Sequence, residues 1–397
     1  MTTDEALDAR FGPVYERIAA GALEREAQRR LPFQEVEWLR AAGFGRIRVP
    51  EEDGGLGATL TQLFRQLIAL GRADSNLPQL LRGHIGFVES RLGHADPDNR
   101  KRWLRRIVDG ALVGNAQSEE SSPSFWQNAT TVRRVDGGWR LDGRKFYSTG
   151  SLFADWILTT ATVDGDHSAI VLVPATAPGV RRLDDWDGFG QRLTGSGTTV
   201  FEDVPIADED VEPYENGAPR PSSQAAIYQL VHLATLAGIG QAAVADAVAY
   251  VAQRTRNLAN PAHPRPRLDP QVQQVVGRVQ SKSFAATATT LAAVGVLERG
   301  AGDAADAAVF AAQAAVIELV LGLTTELFEV GGASAVTERF RLDRHWRNAR
   351  TLASHNPVIT RQTVLGDHLL NGTSPSTWVR RTWEAVRETR ERGQSSS

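Results

Sequence analysis

Three consecutive hydroxyls, Tyr147, Ser148 and Thr149, are closed by Gly150 in the stretch GRKFYSTGS, Gly143–Ser151. Hydroxyls hydrogen-bond to a bound group, and small residues beside a glycine let a flat ligand lie close to the backbone. The stretch comes after a turn at Asp136, Gly137 and Gly138, which places it at the end of an alternating strand. On local chemistry alone it also fits a plain polar strand end. The eight histidines show neither His-x-x-x-His nor His-Glu-x-x-His spacing, so no metal site is expected. With no cysteine, thiol nucleophiles, disulfides and Cys-ligated metals are excluded. Gly238, Gly240 and Ala243 satisfy a loose Gly-x-Gly-x-x-Ala dinucleotide pattern, but inside an alanine-rich helical run, without the strand-to-helix turn that pattern needs. Phosphate loops of the Walker type and Gly-x-Ser-x-Gly elbows are absent. Any nicotinamide step is therefore expected of a separate protein.

The elements that must hold these residues can be read from periodicity and punctuation. At 397 residues, 42% apolar and 23% charged, the chain is long enough for a sizeable core of ordinary composition. A net charge of −3 supplies no global field for nucleic acid or anionic membrane. No apolar run is expected to reach membrane-span length, and Met1–Glu5 lacks signal-peptide character, so the chain reads as cytoplasmic. Helices are expected at the N-terminus, over Phe33–Ala42, Thr59–Arg72 and the block Asn76–Asp109, with a glycine-rich loop at Gly43–Gly57. Strands are expected at Thr131–Val135, Trp139–Leu141, Trp156–Ala161, Ser168–Val173 and Thr198–Val204. Long alanine-rich helical runs then cover about Ser223–Asn257, Pro270–Arg299, Ala304–Glu329 and Asp367–Glu391. The expected class is α+β in three parts: an N-terminal helical domain (1–110), a central β-domain (111–212) and a C-terminal four-helix bundle (213–397).

Four segments in order carry a resemblance: GNAQSEE (Gly114–Glu120), KFYSTGS (Lys145–Ser151), DDWDGFGQRLTGSGT (Asp184–Thr198), and LFEVGGA (Leu327–Ala333) leading to DRHWRNARTLASHNP (Asp343–Pro357). Together they resemble the acyl-CoA dehydrogenase superfamily over nearly the whole chain. A dehydrogenase of that family needs a carboxylate to take the α-proton of an acyl thioester. The family draws it from just after the Arg-rich run or from early on the first bundle helix. Here Arg344–Gly366 and Asn216–Ala245 contain no Asp or Glu.

In the acid's place stand Ser354, His355, Asn356 and Pro357, after WRNART (Trp346–Thr351). That arrangement is similar to the flavin-dependent monooxygenase branch, with its dibenzothiophene and sulfur-acquisition enzymes. The branch usually carries Asp after the histidine. Asn356 departs from this, and a neutral amide raises the histidine's pKa far less than a carboxylate. The resemblance implies a two-component monooxygenase that takes reduced flavin (FMN or FAD) from a separate NAD(P)H-dependent reductase and, through a C4a-hydroperoxyflavin, oxygenates a small aromatic, heteroaromatic or organosulfur substrate with O₂. It places Thr149 near flavin N5 with Ser148 beside it, and His355 and His84 around the distal oxygen. Phe146, Tyr147, Trp186 and Phe87 become apolar walls, with Trp186, Phe87 and Asn356 facing substrate. Asn115 and Ser118 become polar contacts on the flavin edge, and Gly331 and Gly332 cofactor contacts. Arg256, at the end of a helix over Ala243–Asn257, becomes the phosphate contact, and a homotetramer or homodimer is implied. Taken alone, His84 fits a structural histidine and Arg256 a solvated charge. The alternatives are an acyl-CoA dehydrogenase or oxidase with a displaced base, and a flavin-free scaffold.

Overall fold

The computed structural model describes residues 2–120, 128–163, 167–214, 222–257 and 260–376. Among them the N-terminal helices are α1 (Asp4–Ala20), α2 (Ala22–Gln28), α3 (Phe33–Ala41), α4 (Leu60–Ala73), α5 (Asn76–Leu92) and α6 (Pro97–Val108). Their starts are written locally. Thr59 and Gln62 form a reciprocal capping box on α4, and Asp96 caps α6 ahead of Pro97.

Eight strands come next: β1 (Val113–Ala116), β2 (Thr131–Val135), β3 (Gly138–Lys145), β4 (Trp156–Val163), β5 (His167–Pro174), β6 (Val180–Arg182), β7 (Thr199–Ile206) and β8 (Val211–Pro213). They form one mixed sheet in the order β6-β7-β3-β2-β4-β5-β8, with β1 parallel to β4. A register shift between Leu141 and Gly143 breaks the β3–β7 ladder just before Lys145. Such a bulge bends the strand and re-aims the residues beyond it, here the hydroxyl run.

The C-terminal part holds α7 (Ser222–Gln253), α8 (Pro270–Arg299), α9 (Asp303–Glu326), α10 (Asp343–Ala353) and α11 (Val358–Asn371). Small residues let α7 approach α4 closely: a Cβ on Gly238 would lie 2.6 Å from the Gly71 carbonyl carbon. The Gly-x-Gly pattern is thus a helix crossing, not a nucleotide loop. Two helices, Ser223–Gln253 and Asp303–Val330, are long and apolar enough to cross a membrane by length and composition. That corrects the expectation that no run reaches this length; both here pack into the bundle, the first with 67% of its window buried.

One apolar core runs from α1 and α4 through α7, α8 and α9, while the sheet carries its own around Val132, Leu141, Ile157, Val171 and Phe201. A third, containing Phe87, Trp103, Leu158 and Leu172, joins α5 and α6 to the sheet. Polar clamps cross the same seam. Arg91 donates two bonds to Glu212 at 2.7 and 3.0 Å, and Arg40 donates to Asp155 at 2.7 Å. The helix α10 went unread in the sequence, and α11 starts earlier than the expected Asp367–Glu391 run. The part of that run from residue 377 lies outside the described residues.

Candidate active site

The hydroxyl run is held by a second strand-end loop. Ser148 N donates to Gly197 O at 3.0 Å and Gly150 N to Thr194 O at 3.0 Å. Thr149 Oγ1 lies 2.8 Å from Ser196 Oγ, which lies 2.7 Å from Thr194 Oγ1. On the other side, Asn115 N donates to Thr149 O at 3.3 Å and Phe146 N to Ser118 O at 2.9 Å. The rings of Phe146 and Tyr147 meet edge to face at 4.7 Å, and Trp186 continues the row 6.0 Å from Tyr147. Trp186 is fixed in turn by its Nε1–H donating to Gln191 O at 3.0 Å. Tyr147 has φ 56° and remains half exposed, a left-handed conformation costly for a bulky residue and concentrated at functional sites.

Helix α5 closes this assembly from the N-terminal side. Gly150 sits at φ +80°, and a Cβ there would lie 2.2 Å from Leu80 O, so only glycine admits the approach. One turn on, Gly83 lies against Asn115, and Arg82 Nη2 reaches His355 Nε2 at 3.2 Å. Guanidinium groups only donate, so Nε2 accepts and the imidazole proton resides on Nδ1. Burial, then the Arg82 charge, holds His355 down at about 3, so its ring is neutral near pH 7. The residue is exposed at the surface, with its ring set between Arg82 and His232. The ring of His232 on α7 lies 4.4 Å from that of His355, and Asn356 Nδ2 donates to Gln229 Oε1 of α7 at 3.1 Å. Tyr228 packs on Gly86 and beneath the Arg82 guanidinium, 5.1 Å from its ring centre.

Underneath lies a buried ion pair. Lys145, fully buried, donates to Glu119 Oε1 at 2.6 Å and to Asn128 Oδ1 at 2.8 Å. Glu119 also accepts from the backbone N–H groups of Ala129 and Thr130 at 2.7 and 3.1 Å. Burial alone would raise the carboxyl, but the Lys145 contact and these donors hold it at about 2.

The fold therefore brings Asn115, Ser118, Phe146, Tyr147, Ser148, Thr149 and Trp186 together, with His355 and Asn356 joined to them through α5 and α7. Other expected site residues fall elsewhere. His84 is a strut: its Nε2 contacts Gly45 O at 2.7 Å and its Nδ1 accepts from Val113 N at 3.2 Å, so no ring nitrogen is left for a ligand. Phe87 is fully buried against Trp103, ring centres 4.9 Å apart. Arg256 lies past the end of α7, exposed and without a partner among the described residues. Gly331 and Gly332 come after α9, where Gly331 O accepts from Ser334 Oγ at 3.1 Å beside Tyr250. No contact among the described residues joins them to the hydroxyl run. Sequence reading missed Arg82 and His232, although each sits beside a feature it did weigh: His84, and the acid-free interval.

A flavin fits this set of donors on an observation of the fold itself. Ser148 Oγ, next to Tyr147 in the hydroxyl run, and Gln117 Nε2, next to Ser118, are buried with no hydrogen-bond partner among the described residues. Buried polar atoms in folded proteins are almost always satisfied, so an orphaned Ser148 Oγ inside the hydroxyl run calls for a polar-edged ligand. No cluster of three or more potential metal ligands occurs among the described residues.

Comparison with known proteins agrees. Residues 12–111 match the acyl-CoA dehydrogenase N-terminal domain, 115–204 the middle domain and 230–359 the C-terminal domain. A dibenzothiophene monooxygenase of Mycolicibacterium goodii is 28% identical over 377 residues, covering 89% of this chain and 91% of its own. A probable FMNH2-dependent monooxygenase, SfnC, of Pseudomonas putida is 27% identical, covering 91% of this chain and 93% of its own. The crystal structure of TdsC from Paenibacillus sp. A11-2 with FMN and indole superposes with a TM-score of 0.82 at 26% identity, covering 94% of this chain and 99% of that one.

Proposed function

Because the chain belongs to the acyl-CoA dehydrogenase superfamily, in its flavin-dependent monooxygenase branch, we propose that it oxygenates a small aromatic heterocycle or organosulfur compound with reduced flavin brought by a separate reductase. The observation that carries this reading is the pair of histidines where a dehydrogenase carries its acid. His355 stands just after the Arg-rich run and His232 lies early on α7, and the one charge acting on both is that of Arg82. A neutral imidazole beside a guanidinium is poorly suited to abstract an α-proton.

Bound reduced flavin would supply the two electrons that activate O₂. Thr149 Oγ1, fixed by Ser196, and the unpartnered Ser148 Oγ would hold its polar edge. Phe146, Tyr147 and Trp186 would cover a face and keep water out. His355, held by Arg82 at Nε2 and hydrogen-bonded to Asn356, would stand beside the reacting oxygen as a neutral imidazole.

The test supplies enzymatically reduced FMN, O₂ and either dibenzothiophene or indole, and measures oxygenated product against hydrogen peroxide. Oxygenated product is expected. Thr149→Ala, which removes one hydrogen bond, should shift the product-to-peroxide ratio by about five- to tenfold toward peroxide. Bleaching of oxidised flavin by an acyl-CoA with no reductase present would instead establish a dehydrogenase.

A further inference from the structure

His232 was given no contact to flavin or oxygen above, yet it is an unsatisfied buried group beside His355. It is 4% exposed, and its Nε2 has no hydrogen-bond partner among the described residues. The ring of His355 lies beside it at 4.4 Å, and Asn356 pins the His355 loop to α7 through Gln229. Leaving a ring nitrogen buried and unpaired is unfavourable, and natural folds tolerate it mainly where a ligand or water completes the bond. The neighbours narrow the chemistry of that ligand. Arg82 and the Nδ1–H of His355 are donors only, and the His355 Nε2 lone pair is already taken by Arg82. Of these guanidinium and imidazole nitrogens, only those of His232 have a lone pair left to accept.

Resting on the monooxygenase reading, we propose that His232 Nε2 is that acceptor: it takes a hydrogen bond from an N–H or O–H on the substrate ring, selecting aromatic substrates that carry such a donor. Arg82, one ring further on, then favours electron density building on the donating heteroatom. Burial, then coupling to His355 and the Arg82 charge, keeps His232 well below its ordinary pKa, so near pH 7 its ring is neutral and, with the proton on Nδ1, Nε2 offers a lone pair. A pocket built to bond a donor rejects an isostere lacking it far more strongly than an apolar pocket separates the two.

The experiment uses the full-length protein with oxidised FMN and compares calorimetric Kd values for indole and benzothiophene, bicycles of one shape that differ in N–H against sulfur. His232→Leu should weaken indole binding by about tenfold and leave benzothiophene within about twofold. His232→Gln, which keeps a polar end, should lose less. Equal losses on both ligands would make His232 a packing residue and overturn the proposal, as would no change on either. Should His232→Leu melt early, His232→Ala with the same two ligands decides between the same outcomes. A wild type that yields only peroxide from every substrate would sink the monooxygenase reading, while an indole-selective loss of binding would still support His232 as the acceptor.

Discussion

At the scale of single residues, this site is governed by which histidine nitrogens already have partners. His84, expected by resemblance near the distal oxygen though structural when taken alone, is a strut in the fold, bonded at both ring nitrogens. Burial first, and then the Arg40 charge, hold it down at about 4 against a backbone contact that raises it. A histidine kept neutral in the fold but protonated when unfolded makes the unfolded state the stronger proton binder. Stability from this group is therefore full above about pH 6.5 and falls as the pH drops toward 4. At about pH 5 the loss is roughly 2 kcal/mol. Urea unfolding at about pH 7 and 5 should show that fall, and His84→Asn should lessen the difference between the two. His345, also held at about 4 by burial, adds a slope of the same sign. An unchanged slope in His84→Asn would assign the acid sensitivity elsewhere.

At the scale of elements, the strand end bearing Tyr147, Ser148 and Thr149 is positioned by what lies beneath it. Lys145 and Glu119 join the end of β3 to both flanks of residues 121–127, which lie outside the described residues. Burial lowers Lys145 and pairing lowers Glu119; a 2.6 Å contact with Asn128 as a further acceptor favours the ionised pair. Removing one partner of such a pair leaves a buried charge alone. Lys145→Met should cost about 3–5 kcal/mol in a denaturant melt, and the double variant Lys145→Met with Glu119→Leu should recover part of it. If the double variant is no more stable than the single, the pair is not what holds this strand end. The elements themselves were largely readable: the alternation at Thr131–Val135 became β2 and the run Pro270–Arg299 became α8, residue for residue. The helix α10 was not, because its buried stripe starts with the polar His345 and Asn348, so the apolar periodicity that marks a helix is diluted.

At the scale of the whole molecule, the bundle leaves large apolar side chains in water. Val248 of α7, Phe284 of α8, and Ile359, Leu369 and Leu370 of α11 are each at least half exposed, Phe284 at 70%. Large apolar side chains left exposed on bundle helices mark candidate contact positions. A second copy of the chain is the occupant we propose, in line with the homotetramer or homodimer expected from the sequence. Light scattering should give a mass that is a multiple of the 43.1 kDa chain. Phe284→Glu should shift that mass toward one chain, and a monomeric wild type would end the proposal.

What was legible in the chain was whatever is written in neighbouring residues. Strand alternation, helix caps, the hydroxyl run at Tyr147–Thr149 and the two stretches without an acid all lie within a few turns of sequence. That was enough for the three-part fold and for the missing acid in those two stretches. Only the tertiary structure could set Arg82 against His355 across 273 positions, bring His232 beside it, and withdraw His84 and Phe87 into the scaffold. The reason is physical: whether a side chain serves a ligand depends on which of its atoms remain unsatisfied after packing, and packing partners come from anywhere in the chain.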